Sequence, residues 1–126
     1  MSDRPRQFAR YPWFVEHGIE LVHPEDLAAL KALMPYGRVF GFARAGEWIE
    51  LDDGTRRYRV RDSLLKPLAP PRFWVGDEVG IQSGGERRRG VVRDVRWHGK
   101  NEAPMYFLRA DGKALSKRYF DPDLSA

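Results

Sequence analysis

Histidine and cysteine, the residues that most often bind metals in proteins, are sparse in this sequence. The chain contains no cysteine, and its three histidines are His17, His23 and His98. No two of them are separated by a spacing typical of a zinc site, so we predict no metal site. His23 precedes a proline where it can cap a helix, and His98 follows a tryptophan at a predicted strand end.

Nucleophiles and paired carboxylates are equally weak signals. Ser83 lies in a glycine-flanked segment that misses the Gly-x-Ser-x-Gly elbow by one position, and no glycine-rich phosphate loop occurs. The carboxylates of Asp52-Asp53 and Asp121-Asp123 fall in predicted turns, where they usually bind local amides. We therefore predict no catalytic residue, no cofactor and no enzymatic activity. A small enzyme of unknown reaction stays as a third hypothesis, which a polar pocket with a perturbed carboxylate would favour.

The strongest charge feature is a basic stretch in the second half. Residues 87–100 hold six cations and one acidic residue, Asp94. Such a patch attracts polyanions, and Trp97 could stack on a base. The alternative is that an arginine-rich composition has filled exposed strand positions. The six candidate nucleic-acid contacts are Arg87, Arg88, Arg89, Arg93, Arg96 and Lys100.

Composition bounds the class of protein. With 126 residues, 42% of them hydrophobic, the chain can fold as one domain or two very small ones, without a deep substrate chamber. The net charge of +4 is only mildly basic. No apolar run is long enough for a signal peptide or membrane span, and the lack of cysteine suits a reducing compartment. We expect a cytoplasmic protein with no membrane contact.

The first half is predicted to contain one helix followed by strands. Residues 7–22 form an extended arm, and the helix runs from about Pro24 to Met34, where Pro35 blocks continuation. Leu27, Leu30 and Met34 should share its packing face. Alternation over residues 56–61 directs the arginines at positions 57, 59 and 61 to solvent.

The proline-rich segment 67–72 is predicted to join the two parts, residues 1–66 and 73–126. The second part shows four or five short strands with tight turns. Asp53-Gly54 and Asp111-Gly112 both predict hairpin turns with positive φ at the two central residues. Aromatic strands around these turns make the halves similar to each other, either through an old duplication or because such hairpins look alike.

Four short motifs follow one another within residues 73–124. They are Val75-Gly76-Asp77-Glu78-Val79, Gly90-Val91-Val92-Arg93-Asp94-Val95, Tyr106-Phe107-Leu108 with Asp111-Gly112, and the closing stretch from Tyr119 to Leu124. Their order resembles that of Tudor-like and KOW-like members of the SH3-like barrel group. The resemblance implies a bent five-stranded barrel whose end loops bind a peptide, a modified side chain or nucleic acid. The expected fold is thus mainly β with α+β character.

Tudor domains hold a methylated cation between aromatic rings, which attract cations to their faces. By this resemblance we expect ligand or partner contacts from Trp97, Tyr106, Tyr119 and Phe120. Rings in so small a barrel are also needed for its core, with Trp97 and Tyr119 as the best-placed exceptions.

The leading hypothesis is a non-enzymatic binding module that contacts a protein partner through a small β-barrel surface, in an adaptor or immunity-type role. The alternative is nucleic-acid binding through the basic strand of residues 87–100.

Overall fold

The computed structural model describes residues 4–12, 18–82 and 88–126. The chain divides into two compact units, Met1–Pro70 and Pro71–Ala126, called here the N-terminal and C-terminal units. Each unit contains one five-stranded antiparallel sheet, and the described residues also include one α-helix and short 3₁₀ turns. The predicted fold class, mainly β with α+β character, is confirmed. No helix among the described residues is long and apolar enough to cross a membrane.

The N-terminal sheet is built from five short strands in the order β4-β3-β2-β1-β5. Alternate side chains along its strands point into the core, as the period of a half-buried strand requires. Ile49 and Leu51 are buried in this way, and so are Tyr58 and Val60. The strands are β1 (Gln7–Arg10), β2 (Phe40–Ala45), β3 (Trp48–Asp52), β4 (Arg57–Val60) and β5 (Lys66–Leu68).

Helix α1 (Pro24–Leu33) confirms the predicted helix, ending one residue earlier than expected. Proline begins it, where a fixed φ and a missing N–H are tolerated. The ring of His23 caps the helix, since its Nδ1 accepts a hydrogen bond from the Glu25 N–H at 3.1 Å. Met34 then adopts a left-handed backbone with φ of 58°, which ends the helix before Pro35.

The predicted apolar face of the helix is only partly correct. Leu30 is fully buried and Leu27 packs against the core, but Met34 is 51% exposed. Its left-handed backbone directs the side chain away from the helical stripe. The core of the N-terminal unit comprises Tyr11, Val22, Leu30, Phe40, Ile49, Leu51, Tyr58 and Val60.

The outer edge of β4 is covered by the chain that leads into the helix. The His23 N–H donates to the Arg59 carbonyl at 2.9 Å, and the Arg61 N–H donates to the Leu21 carbonyl at 2.7 Å. The next outward donor, the Arg59 N–H, binds the Asp26 carboxylate at 2.8 Å. Backbone groups that an edge strand would leave to water are therefore paired within the unit.

The proline-rich joint is shorter than predicted because its first residues belong to the sheet. Lys66–Leu68 forms β5, which pairs antiparallel with β1 and places Pro67 opposite Ala9. Proline lacks an N–H for the ladder, but β5 is an edge strand, where that loss is tolerated. The division between the units falls after Pro70.

The C-terminal sheet has the order β10-β6-β7-β8-β9. Its five strands agree with the four or five short strands predicted for this part of the chain. Val79, Val92, Val95 and Leu108 are all buried, and they form the centre of this unit together with Tyr106. The strands are β6 (Glu78–Ile81), β7 (Arg88–His98), β8 (Ala103–Ala110), β9 (Lys113–Tyr119) and β10 (Leu124–Ser125).

Two irregularities bend this sheet. The β7–β8 register shifts between Val92 and Asp94, and the β8–β9 register shifts between Phe107 and Arg109. Arg93 lies at the first shift, and its guanidinium donates to the carbonyls of Leu108 at 3.2 Å and Leu115 at 3.1 Å. The arginine thus satisfies carbonyl groups near both bulges, where the ladder is interrupted.

The two Asp-Gly dipeptides form different turns. Asp111 and Gly112 have φ of 54° and 74° and make the predicted two-residue hairpin between β8 and β9. The prediction is wrong at Asp53, which has no positive φ and lies in a four-residue connection. Its carboxylate accepts the N–H groups of Thr55 and Arg56, both at 2.8 Å, so the side chain holds a longer loop.

Candidate binding groove on the C-terminal sheet

Tyr106, one of the predicted contact residues, is a fully buried core side chain. Its hydroxyl oxygen accepts the N–H groups of Arg72 at 3.1 Å and Phe73 at 3.4 Å. Burial raises the pKa of this tyrosine well above its usual range. Tyr106 therefore holds the beginning of the C-terminal unit and offers no surface to a partner.

Of the other three predicted aromatic contacts, one is buried and two are partly buried. Tyr119 is buried, with the Lys117 ammonium 5.3 Å from its ring centre. Phe120 is partly buried and meets the His98 ring edge-on at 5.4 Å. Trp97 is likewise partly buried. Two of the four rings serve the core, in line with the alternative that a small unit needs its aromatic residues for packing.

The basic stretch is also divided by the fold. Arg87 lies outside the described residues. Arg93 is bound to backbone carbonyls, and the Arg96 Nε donates to the Asp94 carboxylate at 2.8 Å. The guanidinium groups of Arg93 and Arg96 lie 5.5 and 5.0 Å from the Phe107 ring centre. Both arginines therefore stabilise the bent sheet through internal contacts.

Near the start of β7, the residues on the solvent face of the sheet are exposed instead of engaged in internal contacts. Glu78 of β6, Val91 of β7 and Arg109 of β8 are direct partners across three strands, and all three are exposed. Arg89 lies two residues before Val91 and therefore on the same face. Val91 is a large apolar side chain on this solvent face, and it is 39% exposed.

These residues line a shallow groove of about 350 Å³. Gly90 is part of its lining, and a Cβ at that position would lie 3.1 Å from the Arg109 carbonyl oxygen. The glycine thus lets β7 and β8 approach closely under the groove. The lining comprises Glu78, Arg89, Gly90, Val91, Arg109, Ala110, Asp111 and Gly112.

The charges of the groove are incompletely paired. Arg88 and Asp111 form an exposed ion pair at 3.4 Å. Within the described part of the chain, Arg89 and Arg109 form no ion pair, and neither does Glu78. Two guanidinium groups and one carboxylate thus surround Val91 with their hydrogen-bonding capacity open to water or to a ligand.

One family model matches residues 1–125 of the chain. The chain belongs to DUF6960, a family of unknown function. The DUF6960 match covers both units, so the groove and the helix-bearing N-terminal unit belong to the same family sequence. No curated protein and no solved structure matches the chain.

Sequence reasoning missed Val91 and Arg109 in this DUF6960 chain. The signal for Val91 was available, because Val91 and Val92 are consecutive and only one of two neighbouring strand residues can face the core. Arg109 could not be placed beside it, since the β7–β8 register depends on the bulge near Arg93.

Exposed apolar side chains also occur in the N-terminal unit. Ile19 is 42%, Met34 51% and Tyr36 56% exposed. None of the three belongs to the lining of the groove around Val91. They provide positions of matched exposure for control substitutions.

Carboxylates with perturbed pKa values lie in the N-terminal unit and are explained by internal bonds. Hydrogen bonds from Arg59 lower the pKa of Glu25. Burial alone would raise the pKa of Asp26 and Asp53, but hydrogen bonds from Arg59 to Asp26, and from Thr55 and Arg56 to Asp53, outweigh it and lower both. No cluster of three or more metal-binding side chains is found among the residues that the structure describes.

Proposed function

We propose that this chain is a non-enzymatic binding module that contacts a protein partner through the solvent face of its C-terminal sheet, with the groove around Val91 at the centre. The exposed valine within a charged rim carries the proposal. Protein interfaces commonly combine an apolar centre with a polar rim, and arginine is enriched in them. An adaptor or immunity-type role in the cytoplasm fits this activity and the cysteine-free sequence.

The resemblance to Tudor-like and KOW-like barrels of the SH3-like group is part of the proposal. Its support is the strand order, in which the short last strand lies beside the first strand of the unit. A 3₁₀ turn at Asp121–Asp123 precedes that last strand, where the resemblance places a short helical turn. The bulges of β7 and β9 also supply the bending that such a barrel requires.

Capture from a lysate of the native source tests the function. The immobilised full chain, Val91→Glu and Met34→Glu are compared, because both substitutions place a carboxylate at an exposed apolar position. Wild type and Met34→Glu should retain a common protein that Val91→Glu loses, with circular dichroism confirming that all three chains fold. Equal retention by Val91→Glu would contradict the groove, and turnover of a small molecule without any retained protein would contradict a binding role.

Nucleic-acid binding is the second candidate, favoured by Arg89, Arg109 and Arg118 on the solvent face of one sheet. Against it, two of the six predicted contacts, Arg93 and Arg96, are engaged internally. Direct titration with duplex DNA distinguishes the two functions, because each phosphate contact lowers the slope of log affinity against log salt by about 0.9. Oligonucleotide binding that falls steeply with salt, and that is lost in Arg89→Gln, would replace the protein-binding proposal.

A further inference from the structure

We infer that the occupant of the groove is an extended acidic segment of a protein partner, with carboxylates at alternate positions of its chain. This inference rests on the proposed function and deepens it. It is carried by the juxtaposition of Arg89 and Arg109 around the exposed Val91.

The spacing of the two arginines fits such a segment. Arg109 is the direct cross-strand partner of Val91, and Arg89 lies two residues along β7, so the two arginines are diagonal neighbours. Diagonal neighbours in a sheet lie roughly 7 to 8 Å apart. Alternate side chains of an extended peptide are separated by about 6.6 to 6.8 Å. The spacing of two side chains on one side of a peptide therefore matches the spacing of the two arginine positions on the sheet.

The chemistry of the groove favours glutamate. A guanidinium binds a carboxylate through two parallel hydrogen bonds, and this pairing is stronger than a neutral hydrogen bond. The methylene groups of two glutamate side chains would then cover the Val91 methyl groups between the arginines. That contact removes the exposed apolar surface that distinguishes Val91 from its neighbours on the solvent face.

The acidic residues of the lining favour a peptide over a nucleic acid. Glu78 is the cross-strand partner of Val91 on the side opposite Arg109, and Asp111 occupies the end near the turn. A phosphate backbone would meet these carboxylates as well as the arginines. An extended peptide can place its two glutamates on the arginines and uncharged residues beside Glu78.

The probe is a short blocked peptide in which glutamate alternates with threonine, labelled for fluorescence anisotropy with the full chain. Two further peptides serve as controls: one has glutamine in place of every glutamate, and the other has the same composition with its glutamates in one contiguous run. A single-stranded oligonucleotide is titrated in parallel. The alternating peptide should bind most tightly, and the glutamine peptide should not bind.

Four substitutions, each of which removes one charge, test whether the arginines bind the peptide carboxylates. Arg89→Gln and Arg109→Gln should each weaken binding by about tenfold or more, the expected loss of a charge-assisted bond. Glu78→Gln should tighten binding about twofold, because a like charge is removed. Arg57→Gln removes a strand arginine of the N-terminal unit that is also exposed, and it should leave binding unchanged.

Equal binding of the glutamine peptide, equal weakening by Arg57→Gln, or tighter binding of the oligonucleotide would overturn the inference. If no peptide binds while Val91→Glu still loses the captured protein, only the acidic occupant is rejected. If Val91→Glu retains that protein, the proposed function itself is rejected.

Discussion

The two units share one strand order but differ in the contacts of their exposed arginines and in the covering of one sheet edge. In each sheet the last strand of the unit pairs with the first, the other strands follow in sequence, and a 3₁₀ turn precedes the last strand. The turns are Asp62–Leu64 and Asp121–Asp123. Equivalent strands of the two sheets can therefore be compared for the side chains and segments that contact them.

The first difference concerns exposed arginines. Around β3 and β4, Arg59 binds Asp26 and Glu25, and Arg61 binds Glu47 at 3.5 Å and lies 3.9 Å from the Trp48 ring centre. Arg89 and Arg109 of the C-terminal sheet have no ion-pair partner in the described ranges. Arg59 and Arg61 are thus held by internal contacts, whereas Arg89 and Arg109 are left to solvent or a ligand.

The second difference concerns the strands at one edge of each sheet. The chain entering the helix covers β4, as the antiparallel bridge between Val22 and Val60 shows. No described segment pairs with the outer edge of β9, which is instead bulged and carries Lys113, Lys117 and Arg118. Bulges and basic side chains are known means of preventing unwanted strand pairing. Recognition through the C-terminal sheet is therefore expected on its face and not at this edge.

The largest expected effect tests whether the units are separate. Leu51 and Leu108 occupy the third strand of their sheets, and both are fully buried. Replacing either by alanine should lower the free energy of unfolding by about 2 to 5 kcal/mol. In hydrogen exchange, Leu51→Ala should accelerate amides of the N-terminal sheet and Leu108→Ala those of the C-terminal sheet. Equal acceleration in both sheets would contradict two separate units.

A smaller effect compares two carboxylates. Asp26 is 7% exposed and accepts hydrogen bonds from the backbone and side chain of Arg59, whereas the Asp111 side chain is 86% exposed. In denaturant titrations Asp26→Asn should cost about 1 to 3 kcal/mol, because the neutral amide offers the Arg59 donors only one acceptor oxygen. Asp111→Asn should cost less than about 1 kcal/mol, as for other surface pairs. Similar losses of stability in Asp26→Asn and Asp111→Asn would contradict the view that only Asp26 has a structural role.

Acid should weaken the N-terminal unit through the same carboxylates. The pKa values of Asp26 and Asp53 are lowered in the folded chain. Their stabilisation is complete above the unfolded pKa, which is about 3.9 for aspartate, and is lost as the pH falls through the folded values. Denaturation measured as the pH is lowered below about 4 should show a falling free energy of unfolding. The fall should be smaller in the double variant Asp26→Asn with Asp53→Asn. An equally steep fall in the double variant would contradict the assignment.

The smallest effect compares exposed arginines directly. Arg61 stacks on Trp48 and binds the Glu47 carbonyl at 3.0 Å, so Arg61→Gln should cost about 0.5 to 1 kcal/mol. Arg89→Gln should leave the free energy of unfolding unchanged within the error of thermal denaturation. A clear loss of stability in Arg89→Gln would show that this residue is structural and weaken its assignment to binding.

Features defined by local signals were predicted from the sequence. The helix follows from Pro24 at its start and Pro35 after its end, and the Asp111-Gly112 turn follows from two residues that tolerate positive φ. The same dipeptide gave a wrong prediction at Asp53-Gly54. There the Asp53 side chain accepts two later backbone N–H groups and stabilises a longer loop. Local sequence does not distinguish these competing hydrogen bonds.

The groove around Val91 could not be predicted from the sequence, because its lining depends on strand register. Tyr106 and Tyr119 are direct partners across β8 and β9, and both face the core. Their side could be assigned only with knowledge of the bulges in β7 and β9. A shift of one residue exchanges the two faces of a strand, so a ring expected at the surface becomes a core ring.

Site-specific photo-crosslinking tests the central claim most directly. A photoreactive amino acid replaces Val91 in one chain and Met34 in another, each is produced in the native source, and adducts are identified by mass spectrometry. We predict a protein adduct at position 91 and none at position 34. A nucleic-acid adduct at position 91, or a protein adduct at position 34 alone, would contradict protein recognition through this groove.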